Sequence, residues 1–236
     1  MSTSRALMST SALVGLAFLA LVATPAWAGP VTVNNPSFEI VPAGGFPLTA
    51  GCVGAGCSYS EGSGAIPAWT SSSSSGEFIP GTQVGNFFAF NTIPNGTTVA
   101  FANTATISQT VGATVQVGVT YTLQIDLGWR NDMSAFTGMA DLLVNGKQYV
   151  ATGAAPVQGN WSEFTATYTG LAADAGDPIT IQLNSTGSFA QQADFDDVLL
   201  NSNIASPVPE PASIGILGVG LIGLLSRRSA RNRARR

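Results

Sequence analysis

Ten residues, Thr120 to Trp129, set the architecture. Tyr121, Leu123, Ile125, Leu127 and Trp129 fall on one parity, and Gln124, Asp126 and Gly128 on the other. Alternation with period two over that length is a strand with one buried face. The same pattern recurs in shorter form at Phe164-Ala166-Tyr168, at Ile179-Ile181-Leu183 and over Phe195 to Leu200. Earlier candidates are Val31 to Val33, Phe87 to Asn91, Thr98 to Phe101 and Ala105 to Val111. Met139 to Val144 and Lys147 to Ala151 flank Asn145-Gly146. That dipeptide tolerates positive φ at both central positions of a type I′ turn, so it predicts a hairpin. No apolar repeat of helical period occurs between residues 30 and 205. The fold expected is all-β: a two-sheet antiparallel sandwich of jelly-roll type with eight to ten short strands. Ser71 to Ser75 reads as a flexible surface loop.

The two ends of the chain have a different character. Arg5 precedes an apolar run from Ala12 to Ala23, and Ala26-Trp27-Ala28 supplies the small residues of a signal-peptidase site, with cleavage expected after Ala28. At the other end Pro207-Val208-Pro209-Glu210-Pro211 is followed by Ile214 to Leu225, built of Ile, Leu, Val and Gly, and then by six arginines. As a helix, Ala212 to Leu225 would be about 21 Å long, short for a hydrocarbon core of ~30 Å. Its arginines would stay in the cytoplasm, leaving the preceding domain outside. The chain therefore divides into a signal helix at 1–28, a β domain at 29–206, and a tail at 207–236 with a short transmembrane helix. Within the tail, Gly218-Val219-Gly220-Leu221-Ile222-Gly223 fits a dinucleotide fingerprint, but it follows proline instead of a strand.

The β domain holds twelve acids against two bases, Arg130 and Lys147, a net charge of −10. Such a domain repels nucleic acid, whose phosphates need Lys and Arg, and suits divalent cations. There is no histidine. That excludes Ser-His-Asp and Cys-His catalysis and His-bearing zinc sites. A non-enzymatic, structural or adhesive role is expected, with a carbohydrate-binding module and a glycan-acting enzyme as alternatives. Cys52 and Cys57, in a Gly-rich stretch of an exported chain, are expected to form a local disulfide. Sugar binding would require exposed rings. Trp161, off the parity of Phe164, is the best candidate for one. Trp129 with Arg130 and Asp132 could meet at one rim of the sandwich, whereas Trp69 is expected in the core.

Two resemblances follow from these residues. The order Val208-Pro209-Glu210-Pro211, Gly-rich apolar helix, arginine cluster resembles the PEP-CTERM sorting signal. The resemblance implies recognition of Pro209, Glu210 and Pro211 by an exosortase-type membrane transpeptidase. It implies an inner-membrane intermediate with the domain facing the periplasm, then delivery to the cell surface or medium, often alongside exopolysaccharide. The middle domain resembles galactose-binding-like jelly rolls, including carbohydrate-binding modules. The similarity lies in Asn35-Pro36-Ser37-Phe38-Glu39, Pro67-Ala68-Trp69 and Phe195-Asp196-Asp197-Val198. It implies a structural Ca²⁺ tying the chain ends through Glu39, Asp196 and Asp197. The other reading of Asp196 and Asp197 is of solvated acids or turn caps.

Overall fold

The computed structural model describes residues 29–204, apart from 84, 85, 88 and 188–190. The expected signal segment and sorting tail, with Pro209, Glu210 and Pro211, lie outside the described residues. Among the described residues no helix is long and apolar enough to cross a membrane.

Two antiparallel sheets face each other. The larger has the order β12 (Trp161–Thr169), β9 (Val119–Gly128), β14 (Ala193–Ile204), β7 (Val99–Ala102), β4 (Ser75–Ile79), β2 (Ser58–Glu61). β1 (Gly29–Val31) pairs with the C-terminal half of β14. The smaller sheet runs β11 (Lys147–Val150), β10 (Gly138–Val144), β13 (Pro178–Ser185), β8 (Thr106–Thr114), β3 (Thr70–Ser71). A short ribbon joins β5 (Thr82–Gln83) to β6 (Asn86–Phe87). This is the two-sheet β arrangement expected. It has more strands than expected because several are only two to four residues long.

The alternating residues behave as their spacing dictates. Tyr121, Leu123, Ile125 and Leu127 of β9 pack with Phe164, Ala166 and Tyr168 of β12 in register, against Ala140, Leu142, Val144, Ile179, Ile181 and Leu183 of the facing sheet. Each such apolar side chain removed from water contributes about 1.5–3 kcal/mol. Asn145 and Gly146 both take positive φ and close the β10–β11 hairpin. In β14 the pairing slips by one residue between Asp196 and Leu199, with Asp197 at positive φ. This bulge keeps Phe195, Val198 and Leu200 all buried.

Two expectations change. Ser71 to Ser75 is not a flexible loop. Ser71 Oγ donates to the Gly62 carbonyl and accepts from Ala65 N–H, and Ser75 Oγ holds Ser72 at both N–H and carbonyl. Serine here stands in for backbone partners at a tight crossing between the two sheets. Residues 89–91 are not strand either. The segment leaves the ribbon and folds over the outer face of the larger sheet, where Ala89 and Phe90 are buried.

Candidate functional site

That outer face carries the site. Pairing places Phe101 of β7, Asp194 of β14, Gly128 of β9 and Trp161 of β12 in one row with the same parity. The next row of that parity contains Tyr59, Phe78, Val99, Asp196 and Asp126. Phe78, Phe90, Val99 and Phe101 form a second apolar cluster there, with Tyr59 and Trp161 against it. Phe101 meets the rings of Tyr59 and Phe78 edge-on at 6.2 and 5.8 Å. Each pair adds ~0.5–1.5 kcal/mol beyond burial.

A cavity of about 330 Å³ opens over this cluster. Tyr59, Phe78 and Phe101 form its apolar side; Glu61, Asn103, Arg130, Asp132 and Gln192 form its polar side. Cys52 and Cys57, joined by a disulfide, help wall it. Arg130 is fixed from three directions. It donates to both carboxylate oxygens of Asp132 at 2.9 and 2.7 Å, to Gln192 Oε1 at 2.6 Å, and its guanidinium lies 5.3 Å from the Phe78 ring centre. A bidentate pair on an aromatic face leaves the guanidinium little freedom.

Beside this assembly lies Asp194, 0% exposed, with neither carboxyl oxygen hydrogen-bonded. Burial pushes its pKa well above the ordinary carboxylate value. Arg130 pulls it down and Asp132 pushes it up. Its strand neighbour Phe101 and Gln192, two residues before it, both line the cavity. Burial thus favours the protonated form of the Asp194 carboxyl, which feels the charge of a fixed cation.

The proposed rim pair Arg130–Asp132 does meet. Trp129, half-buried just past the end of β9, donates its indole N–H to the Met133 carbonyl. Trp69 is buried against Phe38 and donates to the Asn35 carbonyl. Trp161 departs from the expected exposed ring. It has the outward parity foreseen, but its indole lies 4.6 Å from Phe90 and donates to the Thr92 carbonyl, because residues 89–93 cover that face. Its ring also lies over Gly128, where a Cβ would come within 2.8 Å of it. Gly128→Val is therefore expected to displace Trp161 and destabilise the domain by about 1–3 kcal/mol in a denaturant titration. An unchanged midpoint would show that the ring is free to move.

Glu39 and Asp196 hold successive parts of one loop. Glu39 accepts from Thr97 N–H and Thr98 N–H at 2.8 and 2.7 Å, and Asp196 accepts from Asn95 N–H at 2.9 Å. Gly96 permits this, since any Cβ there would strike the Glu39 carboxyl. Asp197 accepts from the Asn95 side chain. Asp196 is buried, and desolvation raises its pKa to about 8. Glu77, which the sequence pattern did not single out, is 0% exposed with both carboxyl oxygens unpartnered. Burial, with Glu39 adding to it, pushes its pKa up to about 8. Among the described residues, no three His, Cys, Asp or Glu side chains form a ready ligand set.

Residues 29–201 match the HpiC1-like family profile, described as HpiC1 cyclase. The chain belongs to the HpiC1-like family. Residues 207–231 match the PEP-CTERM protein-sorting motif, which supports export and surface sorting and implies processing by an exosortase-type system. No curated protein matches. The Stig cyclase Fisc from Fischerella sp. TAU, solved in complex with (3Z)-3-(1-methyl-2-pyrrolidinylidene)-3H-indole, superposes with TM-score 0.59 at 21% identity over 76% of this chain and 100% of that one. A cyclase from the same organism in complex with 4-(1H-indol-3-yl)butan-2-one gives 0.57 at 20%, over 75% and 98%. A xylan-binding CBM22-1 domain from Paenibacillus barcinonensis Xyn10C is a looser likeness: 0.41 at 15%, over 66% and 100%. Membership of the HpiC1-like family, together with the cyclase fold, corrects the non-enzymatic expectation. The absence of histidine excludes His-based catalysis only. It says nothing of a buried carboxylic acid whose pKa is raised.

Proposed function

We propose that this HpiC1-like protein is an exported acid catalyst of the cyclase type, acting on a small, electron-rich aromatic substrate held against Tyr59, Phe78 and Phe101. The observation that carries the reading is Asp194: a fully buried carboxyl without a partner, whose strand neighbour Phe101 lines an aromatic-walled cavity. General acids are useful when protonated at working pH and placed where little water competes. Asp194 would give its proton to the substrate and take one back after ring closure, so the reaction is an isomerisation with no net redox change. Arg130, already lowering the cost of the Asp194 anion, would stabilise the carboxylate formed between those two steps. The indole ligands of the Fischerella cyclases suit such a cavity in size and polarity.

A divalent cation would bind elsewhere. Glu77, whose two oxygens lack partners and whose carboxyl feels the charge of Glu39, would supply donors of the kind Ca²⁺ takes, with backbone carbonyls or water to complete the shell. Bound there, the ion would supply structural cross-linking between the loop after β1 and strand β4. Asp196 and Asp197 would fix the neighbouring loop at Asn95.

The first test is binding. Titration with 4-(1H-indol-3-yl)butan-2-one is expected to quench tryptophan fluorescence, with Phe101→Ala and Tyr59→Ala weakening binding about tenfold or more each. Binding unaffected by either change would remove the cavity from consideration. Delivery to exopolysaccharide and an adhesive role would gain support instead if the indole failed to bind and the domain adhered to glycans.

A further inference from the structure

The outer face of the smaller sheet carries a second groove, of about 500 Å³, remote from Asp194 in the fold because the sandwich core separates the two outer faces. Pairing lays out its floor. Met139 and Asn184 share one row with Thr106, and Asp141 and Gln182 share the next with Ser108. Asp141 also pairs with Val150 of β11, and Gln148 precedes it on the same face of that strand. The result is a surface of amides, hydroxyls and one acid.

These groups hold one another in place. Asn184 Nδ2 donates to Asp141 Oδ2 at 2.9 Å and to Gln182 Oε1 at 3.3 Å; Gln148 Nε2 donates to the same Gln182 oxygen at 3.4 Å. Thr106 donates to Asn184 Oδ1 at 3.0 Å. An ordinary solvated sheet face leaves its acids in water. Here Asp141 is 1% exposed, lines the groove, and has its second oxygen unpartnered. A carboxyl oxygen buried without a donor is costly to maintain and marks a position where a donor is missing.

The chemistry of that donor can be narrowed. The described residues include two basic side chains, and both are engaged elsewhere. Arg130 lies in the cyclase cavity and Lys147 over the Tyr149 ring. The groove lining includes no Lys or Arg, so anions find no counter-charge there. Amides and hydroxyls in a row offer alternating donors and acceptors, the pattern presented in reverse by vicinal hydroxyls. Met139 and Val150, 39% and 51% exposed, flank them with apolar surface for C–H groups. We infer that this groove is a second binding site, for a neutral polyhydroxylated ligand, a glycan segment. With no aromatic ring against the sugar, affinity is modest, Kd on the order of 0.1–1 mM.

The site is independent of the cyclase reading, and the test separates them. Side-chain amide signals in ¹H–¹⁵N spectra are followed as cellohexaose, xylohexaose or maltohexaose is added to about 10 mM. At least one of the three should shift the Gln148, Gln182 and Asn184 amides. Gln148→Ala, at the exposed edge strand, and Asn184→Ala should each weaken that response roughly tenfold. Asp194→Asn should leave it unchanged. The inference is overturned by no shift with any of the three, by shifts centred on the Tyr59–Phe101 cavity, or by tighter binding of polygalacturonate than of every neutral oligosaccharide.

Discussion

Asp194→Asn is expected to remove acid catalysis while leaving the domain better folded than the wild type. A positioned general acid contributes roughly 10²–10⁴-fold, and an amide of the same shape has no proton to give at neutral pH. A direct readout is deuterium incorporation at ring C2 of 4-(1H-indol-3-yl)butan-2-one in heavy water, which requires a deuteron delivered to carbon and a proton removed. The wild type should accelerate it, and the variant should fall to the uncatalysed rate. Stability should move the opposite way. The folded-state pKa of Asp194 is raised, so its carboxyl favours the native state fully below the unfolded value. That contribution is lost as pH rises from the ordinary Asp value towards the raised one. Asparagine carries no such loss, so the variant should unfold at higher denaturant than wild type at pH 8, with the difference shrinking towards pH 4. Residues under functional demand often show this exchange of stability for activity. Full exchange activity in the asparagine variant would end the case for Asp194 as the acid.

The second large effect concerns Glu77. In saturating calcium the domain should melt about 5–10 °C higher than in excess chelator, the shift given by ligand at about 100 times its Kd in a domain of this size. Glu77→Gln should abolish the difference, and it should also raise the melting point of the chelated protein, because it removes a carboxyl with no partner. Glu39→Gln should abolish the calcium response too, but it should lower stability in chelator, since Glu39 accepts from Thr97 and Thr98. A chelator shift that survives Glu77→Gln and vanishes in Asp196→Ala would assign the ion to the other acids. Identical melts with and without calcium would remove the site altogether.

The sequence and the fold agree best where one face alone is buried. β9 was readable because its apolar parity meets the core and its other parity meets polar partners. Asn145-Gly146 was readable because the turn needs positive φ at both positions. Arg130 and Asp132, two residues apart after a strand end, were close enough to foresee as a pair. What could not be read was the second use of the larger sheet. Asp194 has the parity of Asp196 and alternates with Phe195, so in sequence it resembles an ordinary solvent-facing acid. It becomes a buried acid only because β7 and β4, far away in the chain, bring Phe101 and Phe78 alongside, and residues 89–93 fold over the same face. Trp161 failed as an exposed platform for that same reason. Glu77, within the short run Gly76-Glu77-Phe78, has no period to reveal which way it points.

Gly29 pairs with Ser202 at one extreme of β14, and Asp194 lies towards the other. At ~3.3 Å per residue the two are about 25 Å apart. The two ends of the described chain therefore lie at a common pole. A segment joined at either end of the described chain would thus leave the Asp194 end of the sandwich open.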